Sequence, residues 1–367
     1  MNLFFYLCVL IPSVFFILLG ERASISPISY SKGRFRIGSI TISYLSFYVI
    51  CLSLILLCAL RPFEDTYDTQ VYINWLDEIA SSSFLSFSGR FRPGFELLSK
   101  VILFVCGSNY RVYFAVIVIV NCLVVFKAIK NINKYSGISF ILYIGFLALY
   151  YNYIVLRSGL AISFVLLAYS YLDKSRKKAL ICMIVAVLFH ETSLIVFAAL
   201  ILKRFLIPIK KNKLYIILIL SIFLYVTKIF DQLIYTFVAW LQLYLPASWF
   251  HTYILYLDTS DFKNDVSIYY LTCFVLTLVV IYLYRSKQDK YDSFLVINVL
   301  GQLGFSLFSS NTITGRLWDY MVPTTFVYLL PLVFEKRKES KFVFLFVFLL
   351  GFSLYTRVIV FRLPFYI

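Results

Sequence analysis

The sequence predicts an all-α polytopic integral membrane protein with about ten to twelve transmembrane helices. Three observations carry this. Hydrophobic residues are 62% of the 367-residue chain, more apolar surface than a water-soluble protein can hide. They gather into runs long enough to cross a bilayer, where only internally hydrogen-bonded backbone can lie in hydrocarbon. The charged residues, 14% of the chain, fall almost entirely between those runs. Aromatic residues are 20% of the chain, with 38 Phe and 30 Tyr. Tyr suits the bilayer interface, where its ring is buried and its hydroxyl stays wet.

In chain order, spans are expected at 3–20, 41–60, 110–127, 138–153, 155–172, 214–230, 268–284, 293–309, 318–334 and 342–359. The first run lacks a basic leader and a small-residue cleavage site, so it reads as a retained helix. Segments 94–106 and 180–202 are apolar but harder to place. With no composition break or low-complexity tract, one transmembrane domain is expected over 1–367.

Charge orients the spans. Segments 21–40, 127–134, 173–178, 203–213, 285–292 and 335–341 together carry +17 and are expected in the cytoplasm. Loops 61–92 and 231–267 carry −2 and −3 and are expected outside. The chain then begins and ends on the outer side. Segment 180–202 is flanked by basic loops on both sides. It either dips in and returns, with a break near His190-Glu191, or spans fully at the expense of the charge rule. The net charge of +16 lies in short loops beside apolar runs, so nucleic acid is not an expected partner.

Seven cysteines, Cys8, Cys51, Cys58, Cys106, Cys122, Cys182 and Cys273, show no CxxC spacing. They read as small buried hydrophobes. His190-Glu191-Thr192-Ser193 does not match HExxH, and the other histidine, His251, lies in a distant loop. No metal site and no cofactor are expected.

A few polar residues need an explanation. Arg157 has apolar residues on both sides and is followed by Ser158 and Gly159. It is either an interfacial cation or a fixed charge facing a cavity. His190 follows a long apolar run, and either packs between helices or acts as a base. Glu191 could orient it or pair with an Arg. The first outer loop interleaves Arg61, Glu64, Asp65, Asp68, Arg90, Arg92 and Glu96 with aromatic residues. Carboxylates, guanidinium groups and aromatic faces suit sugars, and the Arg fork suits phosphates. Arg316 and Asp319 stand three apart at the start of a late helix, with Tyr320 following. Either they form a local ion pair, or Arg316 joins Arg157, Arg61 and Arg92 around an anion.

The order of these motifs resembles the EpsG-like group of bacterial surface-polysaccharide polymerases, also called O-antigen or exopolysaccharide repeat-unit polymerases of the Wzy type. The stretches that carry the resemblance are LRPFEDTYDTQVY, RPGFELLSK, LRSGLAISFVLLAYSYL, VAVLFHETSLI and TGRLWDYMVP. They run across most of the chain. Ser158 stands where the group commonly has Gln, and the first motif lacks the usual Gly before its Asp. Asp68 is favoured for the family Asp because Tyr72 follows it, although Asp65 with Tyr67 is an open alternative.

The resemblance implies a GT-C-like membrane glycosyltransferase architecture in the bacterial cytoplasmic (inner) membrane, with the active site facing the periplasm. The implied reaction joins undecaprenyl-diphosphate-linked oligosaccharide repeat units into an O-antigen, capsule or exopolysaccharide, with a flippase and a chain-length regulator as partners in that membrane. It needs cations for the leaving diphosphate and a base or orienting acceptor for the attacking hydroxyl. Arg157 and Arg316 are expected at the diphosphate, and His190 at the hydroxyl. Arg61, Asp68, Arg92, Glu96, Glu191, Asp319 and Tyr320 are expected to bind substrate. The rival readings are another membrane glycosyltransferase, an O-antigen ligase, an O-acetyltransferase, or a polysaccharide flippase or other transporter. A transporter is expected to show internal repeats, and none is evident in the sequence.

Overall fold

The computed structural model describes residues 33–63, 67–84, 86–132, 136–206, 211–229, 268–283, 289–307 and 319–331, with isolated positions at 12, 232, 233, 236 and 240. The expected spans 3–20 and 342–359, nearly all of loop 231–267, and Glu64, Asp65, His251 and Arg316 lie outside the described residues.

Every described element is helical, as expected of an all-α chain. The helices are α1 (Gly33–Ala59), α2 (Tyr67–Ala80), α3 (Pro93–Cys106), α4 (Tyr110–Ile132), α5 (Ser136–Tyr143), α6 (Leu156–Tyr171), α7 (Arg176–Phe189), α8 (Ile195–Leu206), α9 (Lys211–Thr227), α10 (Ile268–Leu283) and α11 (Asp289–Leu307). Helix α5 continues in a wider π register over Ile144–Ala148 and Tyr150–Ile154, and a further π turn covers Thr325–Leu329. Most expected spans coincide with a helix. Helix α4, with 23 residues, is the one described helix long and apolar enough to cross a bilayer by itself.

The helix surfaces are apolar on the outside as well as the inside. Phe104 and Val105 of α3 are 84% and 74% exposed, and large apolar residues of α1, α7, α9 and α10 also point outward. Such faces would be unfavourable in water and are at home in lipid.

Two segments depart from a simple loop-and-span pattern. Loop 61–92 contains a helix, α2, instead of running free. Tyr72, Ile73, Trp75, Leu76 and Ile79 are buried on one face, while Gln70, Asn74, Asp77 and Glu78 stay exposed. This is the three-and-four spacing of an amphipathic helix. In segment 180–202 the helix stops. Helix α7 ends at Phe189, His190 is extended with φ −154° and ψ 120°, and a 3-10 turn covers Glu191–Leu194 before α8 starts. The break falls on the polar pair His190-Glu191.

The described residues form two compact units, one up to Glu191 and one from Thr192 onward. In the first, α6 packs against α4 and α7, α1 against α4, and α3 against α4 and α7. Two glycines permit close approaches there. A Cβ on Gly94 would stand 2.7 Å from the Leu188 Cβ, so α3 meets α7 backbone to backbone. A Cβ on Gly159 would collide with the Tyr151 carbonyl, so the first turn of α6 lies against the π segment. Asn152 sits in that segment with no exposed surface.

In the second unit, α11 packs against α8, α9 and α10. Tyr225, Tyr270 and Phe305 stack, with ring centroids 4.2 and 5.0 Å apart along the series. Tyr225 and Phe305 lie near the ends of α9 and α11, and Tyr270 lies near the start of α10. Helices α9 and α11 therefore run parallel, with α10 antiparallel to both. Tyr270 Oη is 2.7 Å from Ser306 Oγ and 3.2 Å from Ser221 Oγ. Asn298 donates to Thr277 Oγ1 at 2.8 Å.

Candidate functional site

The polar residues of the first unit gather where α1 ends, α3 and α6 begin, and α7 breaks. Arg61 follows the end of α1 and is only 1% exposed. Its guanidinium lies 3.9 Å over the Phe114 ring and 5.2 Å from the Tyr153 ring centroid. One terminal nitrogen donates to the Tyr153 carbonyl. In an ordinary α-helix that carbonyl would accept from the residue 157 amide. The other two guanidinium nitrogens have no acceptor among the described residues.

Arg157 lies in the first turn of α6. The chain leaves its π register at Val155, whose φ of −103° and ψ of 68° are not helical. The Arg157 guanidinium sits 4.0 Å over the Phe91 ring, and its buried Nε has no acceptor among the described residues. It acts electrostatically on the buried Tyr72 hydroxyl. Arg61 and Arg157 both act electrostatically on Tyr113. Two cations therefore share one aromatic surround of Tyr72, Tyr113, Phe91 and Phe114. Burial pushes the Tyr72 phenol above its usual pKa and Asp68 adds to this, while Arg157 pulls the other way. The hydroxyl stays neutral and acts through hydrogen bonds. Asp68 lies one turn before Tyr72, in the first turn of α2.

Arg92 occupies the N-cap position of α3, and Pro93 starts the helix without needing the N–H that it lacks. Arg92 Nε donates to Glu191 Oε2 at 3.0 Å, with both side chains about half exposed. The close approach at Gly94 brings this about, because Leu188 lies two residues before the break at His190. His190 is half-buried and acts electrostatically on Glu191.

Glu96 has a different surround. It is fully buried, and its carboxylate accepts from Ser88 N at 2.8 Å and Ser88 Oγ at 3.0 Å. Lys100 Nζ stands 3.5 Å from the same carboxylate and donates to the Ser83 and Ser86 carbonyls. Trp75 Nε1 donates to Ser88 Oγ at 3.2 Å, while the Trp75 ring stacks on Phe95. Glu96 thus pins the loop that carries Phe91 and Arg92.

The structure brings Arg61, Asp68, Arg92, Arg157, His190 and Glu191 into one unit, with Glu96 beneath them. Asp319 and Tyr320 belong to the second unit, where both are buried and Thr192 Oγ1 donates to Tyr320 Oη at 2.9 Å. Arg316, their expected partner, is outside the described residues. Phe91 escaped the sequence reading, although an aromatic between two arginines in a Ser- and Gly-containing loop is a usable signal. Among the described residues no group of His, Cys, Asp and Glu could hold a metal.

The described residues are helical throughout, with apolar faces turned outward, as suits a membrane protein. Residues 44–366 match the EpsG family, and the chain belongs to it. Membership, together with the apolar helices, points to a membrane protein of polysaccharide synthesis. No curated protein and no solved structure matches the chain.

Proposed function

We propose that this protein polymerises oligosaccharide repeat units carried on undecaprenyl diphosphate, at the outer face of the bacterial cytoplasmic membrane. The observation that carries the reading is the pair Arg61 and Arg157. Among the described residues no carboxylate forms an ion pair with either guanidinium. Each cation–π contact returns about 0.5–2 kcal/mol. Desolvating a charge costs several kcal/mol, so the aromatic rings leave much of that cost uncompensated. A dianionic or trianionic diphosphate would balance both cations.

The non-reducing hydroxyl of the incoming unit attacks the anomeric carbon of the growing chain's reducing-end sugar. The new C–O bond forms as the bond from that carbon to the diphosphate oxygen breaks. Charge develops on the leaving diphosphate, where Arg61 and Arg157 hold it. His190 accepts the hydroxyl proton or orients the hydroxyl. Arg92 and Glu191, half exposed at the rim, together with Asp68 and the aromatic faces, contact sugar. Asp319 and Tyr320 are substrate-binding residues of the second unit. The architecture is that of a GT-C-like multi-pass enzyme with loops 61–92 and 231–267 outside. No cofactor is required, because the lipid diphosphate is already an activated leaving group.

The test is the surface-glycan ladder of a polymerase-deleted strain carrying Arg157→Lys or Arg61→Lys at matched expression. Lys keeps the charge and loses the planar fork, so both ladders should collapse toward single repeat units. Wild-type ladders from both variants would overturn the diphosphate assignment.

A further inference from the structure

The stretch of chain that places both arginines is held by a buried amide pair, which the reaction itself does not use. Asn152 lies in the second π segment, three residues before the break at Val155. Its Nδ2 donates to the Ala148 carbonyl at 2.8 Å and to Tyr143 Oη at 3.3 Å. Ala148 is the acceptor that the backbone amide of residue 152 would use in an α-helix. The side chain thus reaches back one helical turn to a carbonyl of its own segment, a local bond that competes with regular α winding. The Asn152 Oδ1 in turn accepts from Asn121 Nδ2 of α4 at 2.8 Å. Asn121 is 1% exposed, and it ties the π segment to the neighbouring helix.

What lies just beyond gives the amide pair its importance. Tyr153, the next residue, supplies the carbonyl that accepts from Arg61. The Val155 N–H closes the π segment on Tyr150 O at 3.2 Å, and Gly159 N–H bonds to Val155 O at 2.9 Å. Arg157 lies between these two bonds. The register of 150–155 therefore fixes where both guanidinium groups stand.

We infer that Asn152, held by Asn121, is a positioning residue that sets Arg157 and Arg61 in place by stabilising the π register between α5 and α6. The inference rests on the reading of those arginines as the substrate's cations, but its test does not depend on turnover.

3-Fluorotyrosine is placed at position 72 of the full-length protein in lipid nanodiscs, and its fluorine resonance is recorded. Arg157→Ala removes the cation that acts on Tyr72 and gives the reference shift. Asn152→Leu, nearly isosteric, should move the resonance toward the Arg157→Ala position. Asn121→Leu should move it in the same direction and carries the decision if Asn152→Leu does not fold. In the Arg157→Ala background, Asn152→Leu should add nothing. Asn131→Leu is the control. It removes a comparable bond, Asn131 Nδ2 to Ser170 Oγ at 3.0 Å, which ties α4 to the last turn of α6 away from the π segment, and should leave the resonance unmoved. A wild-type resonance in folded Asn152→Leu or Asn121→Leu overturns the inference, and so does an equal shift in Asn131→Leu. Intact polymerisation by Arg157→Ala, with the resonance shifts as expected, would instead remove the diphosphate reading and leave the positioning role standing.

Discussion

Arg61 and Arg92 are both arginines of loop 61–92, and the fold treats them in opposite ways. Arg92 sits half exposed and meets Glu191 across 3.0 Å. Arg61 is buried against Phe114 and Tyr153, and among the described residues it meets no carboxylate. The exposed pair is worth about 0–1 kcal/mol, since water solvates either partner when the pair breaks. The buried cation has no such refuge, and on the reading proposed above a bound diphosphate balances it. A charge that the fold has already neutralised is a poor guide to function. A charge left unneutralised in a dry place is a good one.

Substitutions can break this contrast, and the largest effect should come from the interior. Arg61→Met combined with Arg157→Lys should lower polymerisation by about 10³-fold, the upper range for losing transition-state donors. Arg61→Met by itself should lower activity without lowering the thermal midpoint, because it removes an uncompensated buried charge. Denaturation of the detergent-purified protein, set beside in-vitro polymerisation of a lipid-linked repeat unit, would check both. A large fall in midpoint with activity intact would make Arg61 a structural residue.

His190 comes next. His190→Gln should cost about 10²-fold if the imidazole takes the proton, since an amide cannot act as a base at neutral pH. The wild-type rate should then fall as pH drops through the imidazole range, because a protonated ring cannot accept. A flat profile between about pH 5 and 8, with an active Gln variant, would leave His190 an orienting or packing role.

Gly94→Ala should have an intermediate effect. The added methyl would stand 2.7 Å from the Leu188 Cβ and force α3 away from α7. Overpacking of this kind costs about 1–3 kcal/mol, read as a lower unfolding midpoint. Activity should also fall, because Arg92 would be carried away from Glu191.

The smallest effect belongs to the rim. Glu191→Gln should change stability by less than about 1 kcal/mol and the rate by only a few-fold. A loss as deep as that of Arg157→Lys would erase the distinction between rim and interior, and would promote Glu191 to a role in the reaction.

Much of this organisation could be read from the sequence, for identifiable reasons. Apolar runs located α1, α4, α6, α9, α10 and α11, because length and hydropathy are local properties. The polar pair at His190-Glu191 marked the break after α7, since an amphipathic interruption inside an apolar run has few other uses. Arg157 stood out for the same reason. Helix α2 was hidden by its polar loop composition, although its buried face repeats at Tyr72, Leu76 and Ile79. The π register left no trace, since no composition encodes one extra residue per turn. Arg61 and Glu96 are expected from the sequence to bind substrate, but the packing of Gly94, Glu96 and Arg61 is not legible there. That packing depends on partners distant in the chain or folded over from a loop, namely Leu188, Ser88 and Tyr153.

The π segments at Ile144–Ala148 and Tyr150–Ile154 also make the chain sensitive to length. Each residue of an α-helix turns the following chain by about 100°. The widened turns work as a phase offset between α5 and α6. Removing one residue there would restore ordinary winding and swing the start of α6 by a comparable angle, carrying Arg157 around the helix axis. Side-chain changes along 144–154 perturb packing locally, whereas a one-residue deletion re-aims everything downstream.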